Sequence, residues 1–274
     1  MPKRASGRYS QLHEALAVVT GASSGIGAAY AKILAEQGSD LVLVARRSER
    51  LQALASELQR SCGVQVHSVA LDLGERDAAA RLVEQATRIG PVQVLVNNAG
   101  LGAYGPFLDR PVDTHLKTVD VNSRVLMETC WHFGQHMRDH GRPSWINNVA
   151  SIAAYQATPG YAVYSGSKFF VRIFSETLSH ELAKTPITVS CLCPGATYTE
   201  FMEKAKIEVT DRGHATFMSA EAVANIGLRG MMRGKPVVVP GALNKLAAFL
   251  PRFAPTPLSL SIADIVMKKS VREV

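Results

Sequence analysis

The chain has 274 residues, of which 47% are hydrophobic, 19% charged and 7% aromatic, and its formal net charge is +7. Length and composition are typical of a soluble globular protein that buries a sizeable core, in one large domain or two small ones. The positive charge is scattered and forms no basic stripe with interleaved aromatic residues, so the sequence does not favour a nucleic-acid-binding protein. No apolar stretch approaches the ~20 residues that span a bilayer.

The cysteines and the N-terminal segment indicate the compartment. Cys62, Cys130, Cys191 and Cys193 form no CxxC pair and have no histidine cluster beside them, so no metal site is predicted. Cys191 and Cys193 lie two residues apart in an apolar run, which predicts buried free thiols and a reducing compartment. Residues 1–14 are polar and lack the apolar core of a signal peptide. We therefore expect a flexible N-terminal arm over residues 1–14 and a cytoplasmic protein.

Short apolar runs and helical stretches alternate from residue 15 to residue 240. The strands are β-branched and do not alternate with polar residues, which predicts a doubly wound parallel sheet with helices on both faces, a single α/β domain. The predicted strands span residues 15–20, 40–45, 64–71, 92–96, 145–149, 187–193 and 237–239. The predicted helices span residues 25–37, 48–59, 75–88, 112–140 and 161–183.

Residues 241–274 depart from this alternation, with three prolines between two amphipathic pieces. This C-terminal extension has three interpretations. It packs on the domain over the substrate mouth, forms an oligomer contact, or lies on a membrane surface with Lys268 and Lys269 near anionic lipid. Ordinary packing is the favoured interpretation.

The first strand leads directly into the sequence TGASSGIG at residues 20–27 and then into a helix. Glycines let the backbone approach a pyrophosphate, and the helix N-terminus supplies free N–H groups and partial positive charge. A simple tight turn is the alternative, but the strand, turn and helix together favour a dinucleotide site. The turn residues expected to contact the cofactor are Gly21, Ser23, Ser24, Gly25, Ile26 and Gly27.

The GxxxGxG spacing of this turn differs from the usual GxGxxG fingerprint. With it, the chain resembles the short-chain dehydrogenase/reductase family from residue 15 to about residue 239. The resemblance implies a Rossmann-like single-domain fold. It also implies that Asp72 hydrogen-bonds the adenine and that the NNAG sequence at residues 97–100 lies beside the adenine ribose, through Asn98, Ala99 and Gly100.

The second strand ends in Ala45, Arg46 and Arg47, where an acidic residue would bind the ribose 2′-hydroxyl of NAD. No carboxylate at this place would repel a 2′-phosphate, and a guanidinium can pair with it. NADP(H) is therefore the predicted cofactor. The alternative is that both arginines simply face solvent at the start of a helix.

Tyr164 and Lys168 form a YxxxK pair on one face of a predicted helix. A free phenol has a pKa near ~10, and a neighbouring ammonium would lower that pKa into the range of general acid–base catalysis. By resemblance, Ser151 stabilises charge on the substrate oxygen. Lys168 also holds the nicotinamide ribose, and Asn122 organises a water behind Lys168 for proton relay.

The segment after the strand at residues 187–193 completes the expected site. By resemblance it passes the nicotinamide, with Pro194 and Gly195 near the carboxamide and Thr199, or else Thr197, reaching the diphosphate. A simple strand-to-loop turn is the alternative.

These residues predict hydride transfer between NADPH and a carbonyl, or its secondary alcohol, with Tyr164 as the acid or base. Three loops at residues 101–107, 152–161 and 198–218 should form the substrate site, and the third is long enough to act as a mobile lid. Few fixed charges in the first two loops favour an uncharged, moderately apolar small molecule. The apolar and aromatic candidates are Tyr104, Phe107, Tyr155, Tyr161, Phe201, Met202 and Phe217.

Two other functions fit the same scaffold. One is a nucleotide-sugar epimerase or dehydratase, although those proteins usually have GxxGxxG and a longer C-terminal substrate domain. The other is a non-catalytic NADP-sensing protein, against which the complete catalytic set argues. The resemblance also implies a homodimer or homotetramer formed through the long helices that carry Asn122 and Tyr164.

Overall fold

The computed structural model describes residues 9–201, 207–209 and 217–273, apart from the side chains of residues 207–209, 252 and 268–273. Seven strands form one parallel sheet in the order β10-β6-β5-β4-β1-β2-β3. The strands of this sheet are β1 (Leu16–Thr20), β2 (Asp40–Ala45), β3 (Val66–Ala70), β4 (Val92–Asn97), β5 (Ser144–Val149), β6 (Ile187–Leu192) and β10 (Val237–Val238).

Four further short strands pair outside the main sheet. β7 (Thr197–Tyr198) pairs with β9 (Met218–Ser219), and β8 (Ile207–Val209) pairs antiparallel with β11 (Val271–Glu273). The helices are α1 (Gly25–Glu36), α2 (Ser48–Cys62), α3 (Ala78–Ile89), α4 (Val112–Val119), α5 (Val125–His140), α6 (Ala162–Glu181), α7 (Ala220–Met232), α8 (Ala242–Phe249) and α9 (Thr256–Ser270).

Helices cover both faces of the sheet. Successive side chains of a strand point to opposite faces, so Ala17 and Val19 of β1 pack with α1, α2 and α7, while Val18 packs with α3, α5 and α6. All five residues of β1 are buried. A sheet buried on both faces explains why its strands are continuously apolar, and it confirms the predicted single-domain α/β fold. None of the helices in the described part of the chain is both long and apolar enough to cross a membrane.

The predicted helix at residues 112–140 is helical over its whole length but contains a widened turn. A π-helical turn at Asp120–Arg124 separates α4 from α5. Its central residue, Asn122, is fully buried, and its side-chain amide bonds the backbone of Leu101 in both directions at 2.8 Å. Widened turns of this kind are frequent at functional sites. The widened turn thus places Asn122 beside the loop that follows β4.

The flexible arm predicted for residues 1–14 does not extend over residues 10–14. Residues 10–12 form a 3₁₀ turn, and Leu12 is fully buried in the core. The Leu12 carbonyl accepts a hydrogen bond from Ser39 Oγ at 2.7 Å, and Glu14 N–H donates to Gly38 O at 3.0 Å. One apolar side chain in a polar segment is enough to fix this stretch. Residues 1–8 lie outside the described residues.

Helix α7 is an element that the periodicity of the sequence did not predict. Gly227 and Gly230 lie within it, and glycine in a helix interior lowers helix propensity. Both glycines are packing requirements, because a Cβ at Gly227 would collide with the Tyr30 hydroxyl of α1 and one at Gly230 would collide with Val238. Ser219 caps the helix, accepting from the Ala222 N–H at 3.1 Å. Tertiary contact therefore outweighs the local preference.

Candidate active site

The predicted site residues meet in a cavity of about 570 Å³ at the carboxyl edge of the sheet. All of them line its wall except Gly27 and Asn122. Gly27 lies under the turn, where a Cβ would collide with the Gly21 carbonyl, and Asn122 is buried behind the wall. The wall residues from the prediction are Gly21, Ser23, Ser24, Gly25, Ile26, Arg46, Arg47, Asp72, Asn98, Ala99, Gly100, Ser151, Tyr164, Lys168, Pro194, Gly195, Thr197 and Thr199.

The glycine-rich turn after β1 has the backbone that its sequence requires. Gly21 and Gly25 have φ of +66° and +56°, which side chains of L-residues rarely adopt. Thr199 lies directly over the turn, because its Cγ2 is 2.8 Å from the place that a Cβ of Gly25 would occupy. The turn therefore forms a close backbone cradle between β1 and the segment after β6, which suits a diphosphate at the start of α1.

Thr20 holds this turn against the end of β4. Its Oγ1 accepts hydrogen bonds from the N–H groups of Asn98 and Ala99, each at 3.0 Å, and donates to Val96 O at 3.3 Å. Asn98 Nδ2 donates in return to Thr20 O at 3.0 Å and Gly21 O at 3.3 Å. Sequence reasoning named Asn98 but not Thr20, whose role depends on a contact between residues 78 positions apart.

The two arginines after β2 differ in their surroundings. Arg46 is exposed at the cavity rim, whereas Arg47 Nη2 donates to the hydroxyls of Ser23 and Ser24, both at 3.0 Å. Arg47 Nη1 also donates to Glu200 Oε2 at 2.8 Å. Glu200 lies in the segment after β7 and was not predicted as a site residue, because nothing in the sequence indicates a partner 153 positions away.

Asp72, near the start of the loop after β3, lies at the rim and is held as a carboxylate. The Gly74 N–H donates to its Oδ1 at 3.0 Å, and Lys117 Nζ lies 3.5 Å from its Oδ2. The Gly74 hydrogen bond, Lys117 and Arg46 together hold the pKa of this carboxyl below its ordinary value, although partial burial opposes them. An acceptor is therefore fixed where the resemblance places the adenine.

Burial dominates the protonation of the central tyrosine. It raises the pKa of Tyr164 to about 12, and a hydrogen bond with Ser151 acts in the opposite direction. The structure thus differs from the expectation that Lys168 lowers this pKa. Lys168 Nζ lies 5.9 Å from the centroid of the Tyr164 ring and donates to the Val149 carbonyl at 2.8 Å. At neutral pH the phenol carries its proton.

Lys168 is itself buried, and burial lowers the pKa of its ammonium to about 8. A Cβ atom added to Gly100 would lie 3.4 Å from both Lys168 Nζ and Asn122 Oδ1. Asn122 Nδ2 also donates to Ser167 Oγ at 2.9 Å, so its amide ties the loop after β4 to α6. The two predicted relay residues are therefore brought to the same place, beside Gly100.

Aromatic side chains form part of the remaining wall. Tyr161, Phe201 and Phe217 line the cavity, and the rings of Tyr161 and Phe201 lie 5.3 and 5.5 Å from the Tyr164 ring. The other aromatic candidates lie elsewhere. Tyr104 packs against Tyr161, Tyr155 turns away towards Arg172 and Cys193, Phe107 stacks on His115, and Met202 lies outside the described residues.

The C-terminal extension contributes wall residues that sequence reasoning did not identify. Ala247 of α8 and Ala263, Val266 and Met267 of α9 all face the cavity. Their apolar side chains add hydrocarbon surface to the cavity wall. The signal that could have found them is the amphipathic pattern of the extension, but that pattern does not say which surface is covered.

All four cysteines are buried and free. Cys191 and Cys193 point to the same side of β6, with their sulfur atoms 3.7 Å apart. Within the described ranges, no cluster of three or more His, Cys, Asp or Glu side chains is arranged to hold a metal ion.

Comparisons with known proteins agree with this geometry. The sequence profile of the short chain dehydrogenase family matches residues 15–209. Over 220 residues the chain is 40% identical to a sulfoacetaldehyde reductase from Chromohalobacter salexigens, covering 75% of this chain and 83% of that protein. It is 35% identical over 204 residues to a short chain dehydrogenase from Pseudocercospora fijiensis, covering 73% of this chain but 64% of that protein's length.

The likeness extends to the fold. The structure of a short-chain dehydrogenase from Sphingobium yanoikuyae in complex with NADPH matches with a TM-score of 0.77 at 29% identity, covering 88% of this chain and 96% of that one. Complexes with NADPH and with NADH both occur among the matched structures, so the likeness supports a nicotinamide cofactor of either kind. The chain belongs to the short-chain dehydrogenase/reductase family of oxidoreductases.

Proposed function

We propose that this protein is an NADP(H)-dependent reductase of uncharged, moderately apolar carbonyl compounds, which also oxidises the corresponding secondary alcohols. The observation that carries the proposal is the protonated phenol of Tyr164, hydrogen-bonded to Ser151 beside a cavity that begins at the phosphate turn. A phenol that keeps its proton at neutral pH can protonate the oxygen of a carbonyl as that carbonyl accepts hydride.

The side chains divide the work as follows. Ser151 Oγ accepts a hydrogen bond from the Ala153 N–H at 3.1 Å, which orients its hydroxyl so that its own proton can be donated to a substrate oxygen. Tyr164 then protonates that oxygen. Lys168 and Asn122, which both lie near Gly100, would restore the proton to Tyr164. NADP(H) supplies the hydride when bound.

The choice of NADP(H) rests on the residues after β2. Arg46 is exposed at the cavity rim and Arg47 lies beside Ser23 and Ser24, so two guanidinium groups lie near the place of the ribose 2′-substituent. Guanidinium groups pair well with phosphate. We expect NADPH to bind at least about tenfold more tightly than NADH, and Arg46→Ala to reduce that ratio.

Titration of the purified protein with each dinucleotide, followed by nicotinamide fluorescence, measures this ratio. Equal or tighter binding of NADH would overturn the NADP(H) proposal and leave an NAD-dependent enzyme. Binding of neither dinucleotide would contradict the enzymatic function as a whole.

The apolar substrate is inferred from the distribution of charge around the cavity. Among the described wall residues, the charged side chains are Arg46, Arg47, Asp72, Lys168 and Glu200. All but Lys168 come from the segments after β2, β3 and β7, and Lys168 lies next to Tyr164. The walls near Phe201, Phe217 and the C-terminal helices offer apolar contact instead. Anionic sulfoacetaldehyde, named for one relative, is therefore a useful comparison substrate.

A panel of ketones and aldehydes tests the substrate class by NADPH oxidation. We expect aryl or medium-chain ketones to have kcat/KM values at least about tenfold above that of sulfoacetaldehyde. An apolar ketone gains free energy when it is desolvated against an apolar wall, whereas desolvation of the sulfonate costs free energy. Preference for sulfoacetaldehyde would contradict this part of the proposal.

Four buried free thiols support a reducing compartment such as the cytoplasm.

A further inference from the structure

We propose that Glu200 competes with the 2′-phosphate of the cofactor for Arg47, and so limits how strongly this chain prefers NADPH over NADH. The inference rests on the proposed NADP(H) function and adds a specificity-determining residue to it. Neither the glycine-rich turn nor the residues after β2 contain Glu200, which reaches the site from the segment after β7.

The geometry places one carboxylate between two guanidinium groups. Glu200 Oε2 lies 2.8 Å from Arg47 Nη1, and its Oε1 pairs with Arg50. Glu200 and Arg47 are both about one-third exposed, so this ion pair is partly screened by water. Thr199, the residue before Glu200, packs on Gly25 and fixes the direction from which the carboxylate arrives.

The Nε and Nη2 groups of Arg47 already donate to the hydroxyls of Ser23 and Ser24. Nη1, the nitrogen that pairs with Glu200, is therefore the one best placed to take a further anion. A 2′-phosphate that takes Arg47 must therefore displace Glu200 or lie within a few ångströms of a like charge, and both cost free energy. The free 2′-hydroxyl of NADH carries no charge, so the same cost does not apply to it.

Arg50 supplies the alternative position for the displaced carboxylate. It is already paired with Glu200 and lies in the first turn of α2, outside the cavity wall to which Arg47 contributes. When a phosphate binds Arg47, Glu200 can keep its ion pair with Arg50. The carboxylate thus gives up its contact with Arg47 as the phosphate enters.

The test compares wild type with Glu200→Gln, using four probes: NADPH, NADH, adenosine 2′,5′-bisphosphate and adenosine 5′-phosphate. We expect Glu200→Gln to bind the two probes with a 2′-phosphate about three- to tenfold more tightly, and to bind the other two with unchanged affinity. The gain should shrink as ionic strength rises from about 0.05 M to about 0.5 M, since the interaction is screened.

Glu84→Gln is the matched control, because it removes the same charge from an exposed ion pair with Arg88 that lies outside the cavity. It should change none of the four affinities. Unchanged affinity of Glu200→Gln for both 2′-phosphate probes would overturn the proposal. Weaker binding of them would also overturn it, and would mean that Glu200 positions Arg47 for the phosphate.

A second variant separates the proposal from a simple change in net charge. Arg50→Gln removes the second guanidinium that holds Glu200, so we expect weaker NADPH binding in the wild-type background and a clearly smaller loss in the Glu200→Gln background. Equal losses in both backgrounds would contradict the proposed competition. Failure of the underlying function is distinct, because wild type would then show no preference for NADPH at all. Retained binding of adenosine 5′-phosphate shows that each variant is folded.

Discussion

Tyr164 and Lys168 are both surrounded by protein, and burial shifts their pKa values in opposite directions. The phenol is held neutral with a pKa of about 12, and the ammonium loses its proton more easily, with a pKa of about 8. Burial always disfavours the charged form, which explains both shifts. The two pKa values therefore lie further apart than those of free tyrosine and lysine, and their order favours transfer of a proton from the Lys168 ammonium to a Tyr164 phenolate.

Removing the phenol hydroxyl should stop proton transfer without closing the site. We expect Tyr164→Phe to lower kcat for carbonyl reduction by about 10²- to 10⁴-fold, the usual contribution of a general acid, while the Kd of NADPH changes little. Steady-state kinetics and fluorescence titration measure the two quantities. Tyr155→Phe is the matched control, because the Tyr155 ring turns away from the cavity towards Arg172. Similar kcat values for both variants would argue against Tyr164 as the acid.

In the ligand-free protein, the buried charge of Lys168 should lower the free energy of unfolding below pH 8. Between its folded pKa of about 8 and its ordinary 10.5, the unfolded chain binds a proton that the folded chain does not, so the free energy of unfolding rises with pH across this window. Below it, the buried ammonium costs about 3 kcal/mol, and the cost is lost as the pH approaches 10.5. We expect Lys168→Met to be more stable than wild type at pH 7, and the difference to narrow by about pH 10. Urea unfolding at both pH values would contradict this if the variant were the less stable protein at pH 7.

At the scale of elements, the close contact between helices α1 and α7 restricts which residues α7 can carry at position 227. Gly227 lies where a Cβ would collide with the Tyr30 hydroxyl, which itself donates to Asn147 Oδ1 at 3.1 Å. Gly134 of α5 has open space where its Cβ would be. The same substitution should therefore have opposite effects in the two helices.

We expect Gly227→Ala to lower the free energy of unfolding by about 2 kcal/mol or more, because overpacking moves Tyr30 from its hydrogen bond. Gly134→Ala should instead raise it by about 0.5–1 kcal/mol, since alanine favours the helix. Chemical denaturation of the two variants measures both changes. A stabilising Gly227→Ala would show that α1 and α7 separate at little cost.

The elements also show what could be predicted from the sequence. Strand β2 has the predicted bounds, 40–45, because a strand buried on both faces is a continuous apolar run that ends where the sheet ends. The π-turn between α4 and α5 could not be predicted, because it depends on the contact of Asn122 with the backbone of Leu101. The motif residues could be predicted from their local spacing in the sequence. Glu200 and the C-terminal wall residues could not, because only the tertiary structure brings them to the site.

At the scale of the molecule, helices α4, α5 and α6 present an exposed apolar surface on one side of the domain. An exposed patch of large apolar side chains usually marks an interface. We propose that this surface forms the contact of a homodimer or homotetramer, in keeping with the family resemblance. The α4–α6 surface consists of Leu116, Val119, Met127, Trp131, Phe170 and Ile173.

A charge at the largest of these side chains tests the interface. Trp131 is 61% exposed in the single chain, and we expect Trp131→Glu to reduce the mass measured by light scattering after size-exclusion chromatography. Phe253→Glu is the control, because Phe253 is 73% exposed on the C-terminal extension. If Phe253→Glu alone lowers the mass, the extension is the oligomer contact and the α4–α6 surface is not.

Strand β11, near residue 273, pairs with β8 inside the segment that follows the cofactor site, more than sixty residues earlier. Helices α8 and α9 join that pairing to the cavity wall. Residues 198–218 and 241–273 should therefore be exchanged together when chimaeras are made between relatives. A chimaera that exchanged only the first segment would pair a β8 strand from one protein with a β11 strand from another, so a design that alters specificity should move both segments.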